Sequence, residues 1–139
     1  MGRHNNIYNQ PRDIVDSIPG MKRMEMCRNK DKALCCGAGG GHMWIEESNE
    51  KRVSHLRTDE FLDTKSDTLA VACPFCLQMF EEGLSAKSET NKEVKDIAEL
   101  LEESIKDNNQ IRWAEMYLFA ISYPLILPTS KCKSLLFIT

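Results

Sequence analysis

The sequence predicts an α/β domain with a mostly parallel sheet flanked by helices, followed by an extra C-terminal tail that is helical and apolar. Short strand-like runs alternate with longer segments of helical periodicity, which is the pattern of parallel sheets. The chain has 139 residues, enough for one domain with a buried core. Its 42% hydrophobic and 28% charged residues exclude wholesale disorder.

The individual elements follow from local signals. Pro11 is tolerated in a first helical turn, and Pro19-Gly20 stops a helix. The apolar run TLAVA predicts a buried strand, and Leu77 and Phe80 recur at helical spacing. These signals predict a loop over 3–10, a helix over Pro11 to Ile18, a strand over Met21 to Met26, one or two helices within 42–64, a strand over Thr68 to Ala72, a helix over Pro74 to Ala86, a strand over Glu93 to Asp96 and a helix over Ile97 to Ile105.

We divide the chain into a domain over residues 1–108 and a tail over 109–139. Within the tail, Trp113 to Leu127 is strongly apolar but shorter than the roughly 20 residues that a membrane-spanning helix needs. We therefore expect it to pack on the body or on a partner. The net charge of -3 offers no basic field for a nucleic acid. Because no signal peptide is visible, we expect a cytoplasmic protein.

Six cysteines point to metal binding or redox chemistry, which clustered cysteines favour in a reducing compartment. Four of them form two motifs, Cys35-Cys36-Gly37 and Cys73-Pro74-Phe75-Cys76. In the second motif a strand ends and a helix begins, so both sulfurs can face one side. The free N–H groups and the helix dipole favour thiolates there.

The first motif narrows the chemistry. Adjacent cysteines seldom chelate one ion, because their side chains diverge, but they can serve two metal atoms of a cluster, or one metal and one reactive position. Gly37 and the glycines after it let the backbone pass close to such a cluster. They also leave N–H groups available to hydrogen-bond sulfur. A plain zinc site would not need this arrangement.

The string CCGAGGG, the MW that follows it and the later C-P-F-C closely resemble the cysteine-rich CCG domain. That domain occurs in B/D-type subunits of heterodisulfide reductase and in iron–sulfur subunits of glycolate, lactate and glycerol-phosphate oxidising enzymes. The flanking GRHN-x-IY-x-x-PR-D at residues 2–13 and DIAELL at residues 96–101 are similar to that family too. The resemblance covers residues 2–105.

The resemblance implies an iron–sulfur-binding oxidoreductase subunit that transfers electrons or reduces a disulfide. It implies a noncubane 4Fe-4S cluster held by Cys35, Cys36, Cys73 and Cys76 beside Gly37, with Cys35 and Cys36 in the catalytic role. The implied partner is a flavoprotein or a ferredoxin-like iron–sulfur subunit, and any membrane contact is indirect, through a complex. The substrate, a disulfide or a hydroxy acid, stays open.

The family pattern has a fifth cysteine whose position falls just before Met1, so we expect an N-terminally truncated domain. Loss of that ligand leaves two alternatives open. One is a structural zinc module, or a fragment without a cofactor, that uses the same four cysteines. The other is a metal-free dithiol exchanger that uses Cys73 and Cys76.

Residues outside the two motifs are predicted to be structural. We expect Cys27 to pack as a small hydrophobe at the end of a strand. Met43 and Trp44 are expected to form core beneath the glycine run, and His42 to be a capping or surface histidine. Cys132, between two lysines, is predicted to be an exposed thiol outside the domain.

Overall fold

The computed structural model of the chain describes residues 2–45, 52–107 and 133–137. Its elements are α1 (Gly2–Asn5), α2 (Asn9–Asp16), β1 (Met21–Met24), two 3₁₀ segments (Lys30–Lys32 and Gly39–Trp44), α3 (Val53–Asp63), β2 (Thr68–Val71), α4 (Pro74–Ala86), β3 (Glu93–Asp96), α5 (97–107) and β4 (Lys133–Phe137). The predicted mixture of helices and strands is confirmed. One difference is that α1 forms within the segment predicted to be a loop.

The four strands form one sheet in the order β1-β4-β2-β3, and its three pairings are all parallel. The predicted parallel sheet is therefore confirmed. Strand β4 lies between β1 and β2, so its five residues belong to the same sheet as the body. The domain boundary at residue 108 stays a prediction. The predicted apolar helix over 113–127 lies outside the described residues.

Helices cover both faces of this sheet. Alternate residues of β2 point to opposite sides, so the strand contributes side chains to two buried clusters. One face carries a cluster of Met26, Phe61, Leu69, Val71, Phe80 and Leu84, to which α3 and α4 contribute. The other face carries Val15, Ile18, Ala70, Ile97 and Leu100, with α2 and α5. Strand β2 is buried along its whole length, so its carboxyl end holds the C-x-x-C motif in a fixed position.

Helix α3 buries polar side chains where hydrophobic periodicity predicts apolar ones. Leu56 is 49% exposed, whereas Arg57 is 1% exposed. Arg57 donates a hydrogen bond to the Arg28 carbonyl oxygen at 2.9 Å and pairs with Glu60. Because a buried charge must be paired and hydrogen-bonded, these partners explain how α3 can turn this face inward.

Helices α3 and α4 approach each other closely at Gly83. A Cβ placed on Gly83 would lie 3.2 Å from Thr58 Cβ and still closer to Thr58 Oγ1. A side chain there would therefore force the two helices apart. In the part of the chain that the structure describes, no helix is both long and apolar enough to cross a membrane.

Candidate metal and redox site

The carboxyl end of β2 positions the C-x-x-C motif. Cys73 is the N-cap of α4 in an extended conformation, and Pro74 is the first helical residue. Cys76 is then the third helical residue, and these two positions face each other as in a capping box. Cys73 makes no side-chain capping hydrogen bond within the described residues, so the thiols lie beside N–H groups that the helix leaves free.

Glycines shape the turn that carries the other two cysteines. Gly37 has φ +99°, a conformation that residues with a side chain rarely adopt. Its N–H donates a hydrogen bond to Cys35 Sγ at 3.4 Å. A Cβ on Gly37 would lie 3.1 Å from the Ser54 backbone nitrogen, and a Cβ on Gly39 would lie 3.4 Å from Cys35 Sγ. The turn thus keeps open a space around sulfur that larger residues would fill.

The fold brings the two motifs together through Cys36 and Cys76, which pack against the same hydrophobic cluster. Cys36 also interacts with Cys35, and Cys76 with Cys73. None of these four cysteines is in a disulfide. The two sequence-predicted motifs therefore meet at Cys36 and Cys76.

A hydrogen bond between the Cys76 and Cys36 side chains gives these two thiols different pKa values. Donation from Cys76 lowers the pKa of Cys36 to about 6, although burial acts in the opposite direction. The same hydrogen bond, together with burial, raises the pKa of Cys76. The thiolate therefore forms on the glycine turn and the proton stays on Cys76. For Cys76 this differs from the expectation that helix α4 would favour a thiolate, because the hydrogen bond with Cys36 and burial both raise its pKa.

Adjacent cysteines beside a glycine turn suit an iron–sulfur cluster. Among residues 2–45, 52–107 and 133–137, no three or more His, Cys, Asp or Glu side chains form a group that could hold one metal ion. A tetrahedral zinc site requires four ligands that converge on one centre. A cluster distributes its thiolates over several iron atoms, which suits two adjacent cysteines on a turn that Gly37 and Gly39 keep open.

A cavity of about 200 Å³ opens beside Cys35. Its lining includes Cys35, Gly37, Gly39, His42, Arg52 and Met79. Arg52 also pairs with Glu82 of α4 at 2.6 Å. Sequence reasoning left out Arg52 and Met79, because neither belongs to a cysteine motif and only the packing of α3 on α4 brings them here. His42 is exposed, as expected, and also lines this cavity.

The prediction for Cys27 was wrong. Cys27 is exposed, because β1 ends at Met24 and the chain bends after Met26. Met26 takes the buried position instead, at 1% exposure. Cys27 therefore does not join the thiol set. The prediction for Cys132 concerns a residue outside the described part of the chain.

The prediction that Trp44 forms core beneath the glycines was also wrong. Trp44 is 81% exposed, and Met43 is only half-buried. Gly40 and Gly41 both adopt positive φ inside this 3₁₀ segment and kink it, which leaves Trp44 on its outer side. The indole therefore does not line the cysteine site.

An α/β domain with two cysteine motifs that meet beside a parallel sheet defines a cysteine-rich domain of the redox type. The family model for the cysteine-rich domain CCG matches residues 1–81, which is more than half of the chain. The chain therefore belongs to the CCG cysteine-rich domain family.

Curated relatives agree with this assignment. The probable iron–sulfur-binding oxidoreductase FadF of Bacillus subtilis is 41% identical over 107 residues, covering 76% of this chain and 15% of FadF. The EtfAB:quinone oxidoreductase of Syntrophomonas wolfei is 38% identical over 109 residues, covering 73% and 15%. The dihydromethanophenazine:CoB–CoM heterodisulfide reductase of Methanosarcina barkeri has a D-type subunit that is 37% identical over 105 residues, covering 76% and 25%. The chain thus spans a quarter or less of these relatives. No solved structure matches it.

Proposed function

We propose that this chain is an iron–sulfur-binding module of an oxidoreductase and that Cys35, Cys36, Cys73 and Cys76 hold its cluster. The observation that carries the proposal is that Cys36 and Cys76, from motifs far apart in the sequence, pack against the same hydrophobic cluster. Relatives named as an iron–sulfur-binding oxidoreductase and as part of a heterodisulfide reductase support it.

The two motifs contribute differently to the proposed site. Cys73 and Cys76 present thiols from the junction of a buried strand and a helix, where the backbone is fixed on both sides. Cys36 is largely ionised at neutral pH because its pKa is about 6, so it is ready to act as a ligand without a separate base. The Gly37 N–H donates to sulfur, and such donors tune potential. A bound cluster would supply one-electron transfer here.

The finer proposal is a noncubane 4Fe-4S cluster in a protein of the heterodisulfide reductase type, with Cys35 and Cys36 at the catalytic edge. Similarity to the D-type subunit of a heterodisulfide reductase supports the disulfide version. Disulfide reduction would consume two electrons and two protons and release two thiols. The electrons would come from a flavoprotein or a ferredoxin-like iron–sulfur subunit, in the cytoplasm.

The direct test measures iron, acid-labile sulfide and zinc on one sample after anaerobic reconstitution, together with its absorption spectrum. We expect about four iron and four sulfide per chain. Mössbauer spectroscopy would then distinguish a noncubane from a cubane cluster. One zinc without iron, or no metal at all, would contradict the proposal.

Matched variants locate the ligands. Replacing Cys36 or Cys73 by Ser should remove most of the iron, because each supplies one of the four thiolates. Cys27→Ser is the control, since that thiol is exposed and lies outside the set. Retention of full iron content in the Cys36 and Cys73 variants would show that the centre lies elsewhere.

A further inference from the structure

A buried hydroxyl lies beside the cysteine turn. Ser54 is 2% exposed, and its Oγ has no hydrogen-bond partner among the described residues. Its carbonyl oxygen accepts a hydrogen bond from Thr58 Oγ1 at 2.8 Å, as expected inside a helix. The Ser54 carbonyl oxygen therefore has a hydrogen-bond partner, whereas the side-chain hydroxyl has none among the described residues.

Ser54 packs directly on Gly37. A Cβ on Gly37 would lie 3.1 Å from the Ser54 nitrogen and 3.5 Å from Ser54 Cβ. Gly37 is the residue after Cys36, and its own N–H already donates to Cys35 Sγ. The Ser54 side chain thus starts within van der Waals distance of the turn that presents both cysteine sulfurs.

Burial without a partner needs a reason. Nearly all buried polar side-chain atoms in proteins find a hydrogen-bond partner. In the first turn of the 11-residue helix α3, the Ser54 hydroxyl also lies at the end of the helix where partial positive charge favours an anion. An acceptor that carries negative charge on the cysteine side would satisfy the hydroxyl and the helix terminus together.

We propose that the Ser54 hydroxyl donates a hydrogen bond to sulfur of the iron–sulfur centre, either a cluster sulfide or the thiolate of the Cys35-Cys36 turn. This inference rests on the proposed function. A donor to sulfur stabilises the reduced form more than the oxidised form, because reduction adds negative charge to the centre. Ser54 therefore raises the reduction potential of the centre and makes it a better electron acceptor.

The test compares reduction potentials of reconstituted Ser54→Ala and wild-type proteins by redox titration followed by electron paramagnetic resonance. The variant should keep its iron and sulfide, and its reduction equilibrium constant should fall by about tenfold, which is ~59 mV more negative for a one-electron couple. Ser54→Thr keeps the hydroxyl and should restore most of the wild-type potential.

Ser66→Ala is the matched control. Ser66 is also fully buried, but its Oγ contacts Met24 Sδ at 3.6 Å. It lies just before β2, whereas Cys73 and Cys76 lie at the other end of that strand. Its removal should leave the potential unchanged. A fully loaded Ser54→Ala protein with the wild-type potential would overturn the inference.

If Ser54→Ala fails to bind iron and sulfide, its potential cannot be compared, and the test is made on the wild-type protein instead. Iron–sulfur stretching bands in its resonance Raman spectrum should shift in D2O if an exchangeable donor contacts the sulfur, and unshifted bands would also overturn the inference. A wild-type chain that binds no iron would instead refute the proposed function itself, so the two failures are distinguishable.

Discussion

Removal of the Cys76 thiol should raise the pKa of Cys36 in the metal-free protein from about 6 to near or above its ordinary value of 9.0. The hydrogen bond from Cys76 is the largest cause of the lowered pKa, while burial acts against it. The Cys76→Ala substitution removes the donor and leaves Cys36 partly buried. The remaining backbone donors and the Cys35 side chain lower the pKa by less.

The size of the effect depends on what is measured. At pH 7 a thiol of pKa about 6 is ~90% thiolate, whereas one of pKa about 9 is ~1% thiolate. A less basic thiolate is also a weaker nucleophile, and a Brønsted coefficient of ~0.4–0.5 makes the thiolate of lower pKa roughly 16- to 30-fold less reactive over a pKa difference of about three. The alkylation rate at pH 7 should therefore fall only about 3- to 6-fold in Cys76→Ala. The midpoint of the pH–rate curve should rise by about three units.

Residue-resolved alkylation measures this midpoint. Metal-free wild-type and Cys76→Ala proteins are treated with iodoacetamide over about pH 4 to 10, and the Cys36 peptide is quantified by mass spectrometry. The exposed Cys27 is the internal reference, and its curve should be the same in both proteins. A wild-type midpoint near 9, or a midpoint that stays near 6 without Cys76, would refute the reasoning.

Other perturbations test the packing and the pH dependence. Gly83→Ala should lose about 1–2 kcal/mol in urea denaturation, since overpacking against Thr58 outweighs the helix propensity gained; unchanged stability would show that the helices separate freely. Gly37→Ala should destabilise the metal-free protein by about 1–3 kcal/mol, because φ is +99°, and should reduce iron loading; normal loading would contradict the glycine cradle. Between about pH 6 and 9 the folded metal-free chain has released the Cys36 proton and the unfolded chain has not, so this thiol makes stability rise with pH. Above 9 the raised pKa of Cys76 reverses the trend. Urea denaturation midpoints of the wild-type and Cys36→Ala proteins, measured across this pH range, test this rise of stability with pH. Equal dependence of the two midpoints on pH would contradict it.

Local signals were sufficient for much of the fold. Helix α4 and strand β3 begin and end where the sequence predicts them, because a buried apolar run followed by Cys-Pro marks both a strand end and a helix start. The placement of β4 between β1 and β2 could not be predicted in this way. Pairing of parallel strands far apart in sequence depends on tertiary packing, and local periodicity carries no information about it.

In the candidate site too, local sequence predicts some features and others depend on tertiary packing. The two motifs identify the cysteines, but the hydrogen bond between Cys36 and Cys76, and the acidity that results, depend on the packing of the glycine turn against α4. The sequence does not indicate Ser54, because the buried face of α3 is largely polar, whereas apolar periodicity predicts burial of Leu56 on the exposed side. That face recurs at helical spacing through Arg57 and Thr58, a signal that hydrophobicity alone does not reveal.

The two pairs of cysteines are anchored with unequal stiffness, which has a consequence for the order of assembly. Cys73 and Cys76 follow a strand that is buried throughout, whereas Cys35 and Cys36 lie on a turn that depends on Gly37 at positive φ. We expect incoming iron to be captured first by the strand-anchored pair and then enclosed as the turn closes. Repair after oxidative loss would then require only the closure of a turn, because the strand keeps half of the ligands in place.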